Sequence, residues 1–308
     1  ITTSDHQFVV ALDKQTGREK WRTVRTGKMD ANPQLKKAYG TPLITVANGK
    51  PVIFSPGANW LYGYDPATGK ELWKVNYGLL GFSNVARPVV GHGMIYVPTC
   101  FMKGELLGIR LNGKKLPEIA WRARTAPKMP SPLLVGDELY VVNDAGIASC
   151  LDAKTGKVQW QRDFDFTKYK KNRQNSYASA TPAVDADHVY VIWQSQEEST
   201  LTACDHSGKT IWTYDLGIFK SGHGSATSPI VYRDRVIVCN DHDGDSFLVA
   251  VDRRTGKEIW KIAREGKRAC FSTPCVYSPQ GRPVEIIFTH SFQGITSIDP
   301  TSGKENWN

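Results

Sequence analysis

The stretch Asp65-Pro66-Ala67-Thr68-Gly69-Lys70-Glu71-Leu72-Trp73 decides how this chain is read, because it returns along the whole sequence. The same pattern runs from Asp13 to Trp21, Asp152 to Trp160, Asp205 to Trp212, Asp252 to Trp260 and Asp299 to Trp307, with a worn copy from Asn112-Gly113 to Trp121. In six of these seven copies a glycine stands four residues before the tryptophan. The 286 residues from Trp21 to Trp307 divide into six steps of about 48. A fixed internal period of that length marks a repeat architecture.

Each copy is a hairpin. An alternating apolar run such as Phe247-Leu248-Val249-Ala250-Val251 leads into the Asp, and a second run ends in the Trp. The Asp carboxylate suits an Asx turn, and the Gly suits the positive φ of a bulged hairpin loop. Seven exposed indoles would be costly, so each Trp is expected to pack on the neighbouring repeat. Upstream lie two more runs. One begins near Thr41-Pro42, Arg87-Pro88, Ser131-Pro132, Thr181-Pro182, Ser228-Pro229 or Thr273-Pro274, and the next is β-branched, as in Val189-Tyr190-Val191-Ile192. Four strands, A to D, in under 50 residues describe a β-propeller blade.

The expected fold is therefore all-β: one propeller domain over residues 1–308, with four-stranded antiparallel blades at about 39–76, 85–124, 130–164, 177–215, 225–264 and 270–308. Residues 1–25 supply only a half blade, strands C and D. Its missing strands A and B would follow Asn308, so the chain reads as a piece of something longer. A seven-bladed ring completed by about 20–25 further residues is the first expectation, and an eight-bladed ring the second.

Composition narrows the function. The net charge is +9 with 40% hydrophobic residues. Lys and Arg are spread over the turns and last strands, where they suit solvated edges, so no nucleic-acid partner is expected. Lys168-Tyr169-Lys170-Lys171-Asn172-Arg173 is the one local basic cluster. No run is long enough to span a membrane. Cys100, Cys150, Cys204, Cys239, Cys270 and Cys275 contain no CxxC pair and fall mostly in strands, where a thiol acts as a small hydrophobe.

In such a blade the A–B and C–D turns emerge at one end, and the B–C and D–A connections at the other. The C–D turns are nearly uniform, while the other connections vary, so function is expected there. The B–C loops carry Asn59-Trp60, Phe101-Met102-Lys103, Asn143-Asp144, Trp193 to Gln196, Asn240 to Asp245 and His290 to Gln293; the D–A approaches carry Tyr39, Asn84, Arg87, Lys128, Asn175, Tyr177, His223 and Phe271. Ligand-binding candidates are Trp60, Arg87, Lys128, Asn175, Tyr177, Trp193, His223 and His290. Trp60 and Trp193 stand outside the repeat position and suit a planar ligand or a sugar. Asp241, Asp243 and Asp245 alternate like the first ligands of a calcium loop, but the twelfth position is Asp252 rather than Glu, so this is no EF-hand. No nucleophile–base motif of recognisable spacing is present.

The repeated Asp-x-x-Thr-Gly-Lys-x-x-Trp resembles the tryptophan-docking repeat of pyrroloquinoline quinone (PQQ)-type propellers. That group includes quinoprotein alcohol dehydrogenases and BamB-like propellers of outer-membrane assembly. Asn175 to Pro182, His223-Gly224-Ser225, Asp241 to Phe247 and Phe271 to Pro274 also resemble the PQQ-like propellers of Planctomycete-type bacteria. The resemblance implies a periplasmic or otherwise extracytoplasmic protein. For true quinoprotein dehydrogenases it implies a vicinal Cys-Cys disulfide, a Glu/Asn/Asp calcium site and an Asp base. No adjacent cysteines exist here. The expectation is thus a non-enzymatic binding or scaffold module, without a cofactor, presenting its variable loops to a protein or glycan. The alternative is a quinoprotein oxidoreductase using PQQ and calcium, or a calcium-assisted carbohydrate-active enzyme.

Overall fold

The repeated turn builds itself from its own residues. In the computed structural model, Asp65 Oδ1 accepts hydrogen bonds from Ala67 N at 2.8 Å and from Thr68 N and Oγ1 at 2.9 and 3.0 Å. Asp65 N and O close the loop on Lys70 O and Gly69 N. Gly69 sits at φ +74°, where a side chain is strained. The same bonds recur at Asp13, where donors from Thr16 and Gln15 hold the carboxyl down at about 2.

The structure describes residues 2–4, 7–78, 82–99, 104–113, 115–124, 126–164, 168, 172, 175–265, 268–290 and 292–308. Cys100, Phe101-Met102-Lys103 and most of the 168–173 basic cluster lie outside them. The described residues form seven sheets. Six have four strands in sequential A-B-C-D order, as in Leu43–Ala47, Lys50–Pro56, Trp60–Tyr64 and Glu71–Asn76. The others span 89–123, 133–163, 183–217, 230–264 and 275–307, and the strand pairing is antiparallel. These are propeller blades. A single 3-10 turn, Pro33–Lys36, capped by the Asn32 side chain, interrupts the connection after the first sheet.

The first sheet corrects one expectation. It has three strands, not two, because Thr2–Ser4 pairs with Phe8–Leu12 in the register Thr2↔Val10 to Ser4↔Phe8. The inner edge of Phe8–Leu12 is therefore covered. Thr-Thr-Ser has the β propensity of Thr but no apolar alternation to betray a strand.

By contact the chain falls into two compact units: Ile1–Asn143 with Ser149–Gln159, and Asp144–Ala148 with Trp160–Asn308. The same rule packs neighbouring blades inside each. In the first, the indole N–H of Trp21 donates to Pro66 O at 3.0 Å and that of Trp121 to Ala153 O at 3.1 Å. In the second, Trp160 donates to His206 O, Trp212 to Arg253 O and Trp260 to Pro300 O, at 2.8, 3.0 and 3.1 Å. Each acceptor is the carbonyl just after the turn Asp of the next blade.

The ring itself lies on the turn glycine. A Cβ on Gly69 would stand 2.4 Å from Trp21, one on Gly156 2.5 Å from Trp121, and one on Gly256 2.7 Å from Trp212. The glycine thus serves as a seat for the preceding blade's indole as well as a source of positive φ. Its other face rests on a small residue across its own hairpin: Ala11, Gly63, Gly108, Ala203, Ala250 or Ser297.

Two tryptophans depart from the expected docking. The worn turn offers no seat, since a Cβ on Gly113 would meet nothing, and Trp73 packs on its own Gly63 and on Phe54 at 5.6 Å. Trp307 is 47% exposed and donates to the Glu285 carboxylate of its own blade at 3.0 Å.

Candidate functional site

The blade over 230–264 carries a heavily bonded variable loop, Asn240 to Ser246, at the B–C end. Asp241 is fully buried. Its Oδ1 accepts from Arg264 Nε at 3.0 Å, its Oδ2 from Cys239 Sγ at 3.1 Å, and its carbonyl from Cys270 N at 3.1 Å. Asn240 Oδ1 accepts from Gln194 Nε2 at 2.6 Å, and Asn240 Nδ2 donates to Leu216 O. Asp243 N donates to Lys220 O, and Asp243 Oδ1 accepts from Ala269 N at 2.9 Å. The loop is a hub that fixes the D–A approaches on both sides of it.

His242 is buried inside this hub, against Phe219 at 5.5 Å. Its Nδ1 accepts from Lys220 N at 3.2 Å while Nε2 faces Asp245 O at 3.1 Å, which selects the neutral ring protonated on Nε2. Desolvation pushes its pKa below the usual histidine value, against the raising influence of Asp245 and Asp243. The unfolded chain takes a proton near about 6.5, and the folded chain resists it. This stabilisation is complete above that pH and is lost as pH falls below it. The urea midpoint of the native protein is expected to fall more steeply between pH 7 and 5 than that of His242→Gln; parallel slopes would remove His242 from the account.

Above the hub opens a cleft of about 660 Å³. Ser221, Gly222, His223, Asp243, Arg268, Ala269, Phe271 and Phe292 line it. Phe292 is 61% exposed and Phe271 38%. The Arg268 guanidinium lies over the Phe292 ring at 5.6 Å. The backbone beneath is fixed at three successive residues: Arg268 O accepts from His290 Nε2 at 3.1 Å, Ala269 N meets Asp243, and Cys270 N meets Asp241.

The candidates of the sequence fare differently. His223 is exposed in the cleft, and Asn175 Nδ2 holds its carbonyl at 2.7 Å. Tyr177 is half-buried in the same D–A connection. His290 lies beneath the cleft, 4% exposed; its Nδ1 accepts from Phe292 N and Gln293 N, so the ring braces the loop instead of facing a ligand. Trp193 is 9% exposed and packs on Phe164 at 5.7 Å. In the other unit, Trp60 donates to Lys28 O at 3.0 Å and its ring backs onto Gly27, so this indole holds a connection in place. Arg87 is exposed, its N–H on Ser131 Oγ at 3.0 Å, and Lys128 is half-buried. Arg268 was missed by sequence reasoning; its signal is a cation three residues before the noted Phe271.

Asp241, Asp243 and Asp245 are not brought together. Among the described residues, the His/Cys/Asp/Glu group close enough to share an ion is Asp185, Asp187 and His188. It lies in an A–B turn, and Arg253 from the next blade already bridges both carboxylates at 2.9 and 2.8 Å. Millimolar calcium is expected to leave the melting temperature unchanged; a rise of several degrees would put a cation on these carboxylates. Cys270 is buried with Sγ on Thr289 O at 2.9 Å, Cys275 is exposed, and the five described cysteines are free thiols.

The profile of the family described as outer membrane protein assembly factor BamB matches residues 5–197 and 112–308. BamB of Shewanella oneidensis is 24% identical over 284 residues, 87% of this chain and 62% of that protein. The chain thus spans about three fifths of that relative. Among solved structures, BamB from Moraxella catarrhalis superposes with a TM-score of 0.63 at 17% identity, covering 99% of this chain and 85% of that one. Quinohemoprotein alcohol dehydrogenase from Comamonas testosteroni gives 0.64 at 12%, covering 98% and 63%. Both likenesses show the β-propeller fold.

Proposed function

The chain belongs to the BamB outer membrane protein assembly factor family, and from that premise we propose that it is a non-enzymatic, extracytoplasmic propeller that binds a protein partner through its B–C and D–A loops. One observation carries this reading: a cleft on a braced backbone presents a cation stacked on the exposed Phe292, with the exposed Phe271 in the same lining. Arginine and aromatic side chains are the residues that dominate protein interfaces. The polar groups below bond to each other and to the loop backbone, and serve to hold the loops in shape. The sequence holds no adjacent cysteines of the kind the quinoprotein dehydrogenases carry, which counts against the oxidoreductase reading.

The test is site-specific photo-crosslinking in the producing cell. A crosslinkable residue in place of Phe292 should give a discrete protein adduct, whereas one in place of Thr68, in a uniform C–D turn, should not. Equal labelling at both positions, or none at Phe292, removes the proposal. Adding PQQ with calcium to the purified protein and following dye reduction covers the oxidoreductase: turnover would overturn the non-enzymatic reading.

A further inference from the structure

We infer that the cleft at the blades over 230–264 and 275–307 takes an acidic polypeptide segment, with a carboxylate on Arg268 and an apolar side chain against Phe271 and Phe292. This rests on the reading of the cleft as a protein-binding site and specifies what enters it.

The Arg268 guanidinium is exposed and makes no ion pair among the described residues. It stacks on Phe292, which leaves its planar fork open for a bidentate carboxylate. His223, exposed in the same lining, offers a second nitrogen. The one carboxylate of the cleft, Asp243, already has Oδ1 on Ala269 N. The lining thus offers one guanidinium and one exposed carboxylate, and a carboxylate from a partner is taken on the Arg268 side.

The neighbouring chemistry favours a peptide over a sugar. Phenylalanine supplies an apolar face without a polar handle, and a guanidinium fork matches a carboxylate better than a hydroxyl. A cation stacked on one exposed ring, with a second exposed ring in the same lining, matches a segment in which an apolar residue neighbours Asp or Glu. The bonds at Arg268 O, Ala269 N and Cys270 N preorganise the platform, so little ordering is needed on binding.

The probe is a random twelve-residue peptide library panned on the intact protein, with an acidic and neutral glycan array beside it. Enriched peptides should carry Asp or Glu next to an apolar residue. Their affinity should fall about tenfold or more in Arg268→Glu, an exposed change that leaves the melting temperature in place, and fall again in Phe292→Ser. Neutral or basic enriched peptides, affinity indifferent to Arg268→Glu, or array binding in place of peptide binding would each overturn the inference. If crosslinks form at Phe292 while acidic peptides fail, the partner class is wrong and the protein-binding reading stands; if crosslinks also fail, both fall.

Discussion

Gly69→Ala is expected to destabilise the protein by about 3 kcal/mol, several times the effect of the same change at Gly17. The two glycines share a unit, a turn sequence and a backbone conformation, with φ of +74° and +71°. A methyl group at Gly17 meets nothing within 4 Å, so Gly17→Ala reports the left-handed backbone alone, about 1 kcal/mol. A methyl at Gly69 would stand 2.4 Å from Trp21 Cε3 and 2.8 Å from Thr23 Oγ1. The indole must then lift off, weakening its bond to Pro66 O as well. Thermal melts should separate the variants by roughly 4–8 °C. Trp21→Ala made in the Gly69→Ala background should cost less than in the native protein, because the ring that clashes has gone. Equal losses at Gly17 and Gly69 would mean that the seat contributes nothing to blade packing.

What could be read in the sequence is what contiguous residues encode. The Asp-to-Gly turn is closed by bonds two to four residues apart, and the strands alternate visibly, so blades and turn chemistry are legible. The seat is not, because its two halves are 45 residues apart from Trp21 to Pro66. A trace of it was there: a small residue stands two positions before each turn Asp, as at Ala11, Gly63, Ala203, Ala250 and Ser297. Thr2–Ser4 escaped because it carries no apolar pattern, and Arg268 because a surface cation looks like any other until a ring lies beneath it. The packing of Trp60 and Trp193 was hidden as the seat was: each rests against a segment far away in the sequence.

The Asp241 loop gives the second large effect. Asp241→Ala is expected to destabilise by about 3–5 kcal/mol, since it strands a guanidinium whose side chain is only 6% exposed. Arg264→Met alone should cost a similar amount, for it leaves a carboxylate of 0% exposure without its cation. Asp241→Leu combined with Arg264→Met should recover most of either loss, because two apolar groups of similar volume need no counter-charge. Chemical denaturation of the three variants measures the coupling. Additive losses would mean that the pair does not act as one unit, and calcium-dependent stability abolished by Asp241→Ala would return the carboxylate to a metal. The effect should reach the cleft as well. The Asp241 carbonyl anchors Cys270 N and the same loop anchors Ala269 N, so releasing it frees the backbone that presents Arg268. Peptide affinity should therefore fall in Asp241→Ala even at temperatures where the protein stays folded, and return in the double replacement, because a buried pair that touches no ligand still sets the geometry of the residues that do.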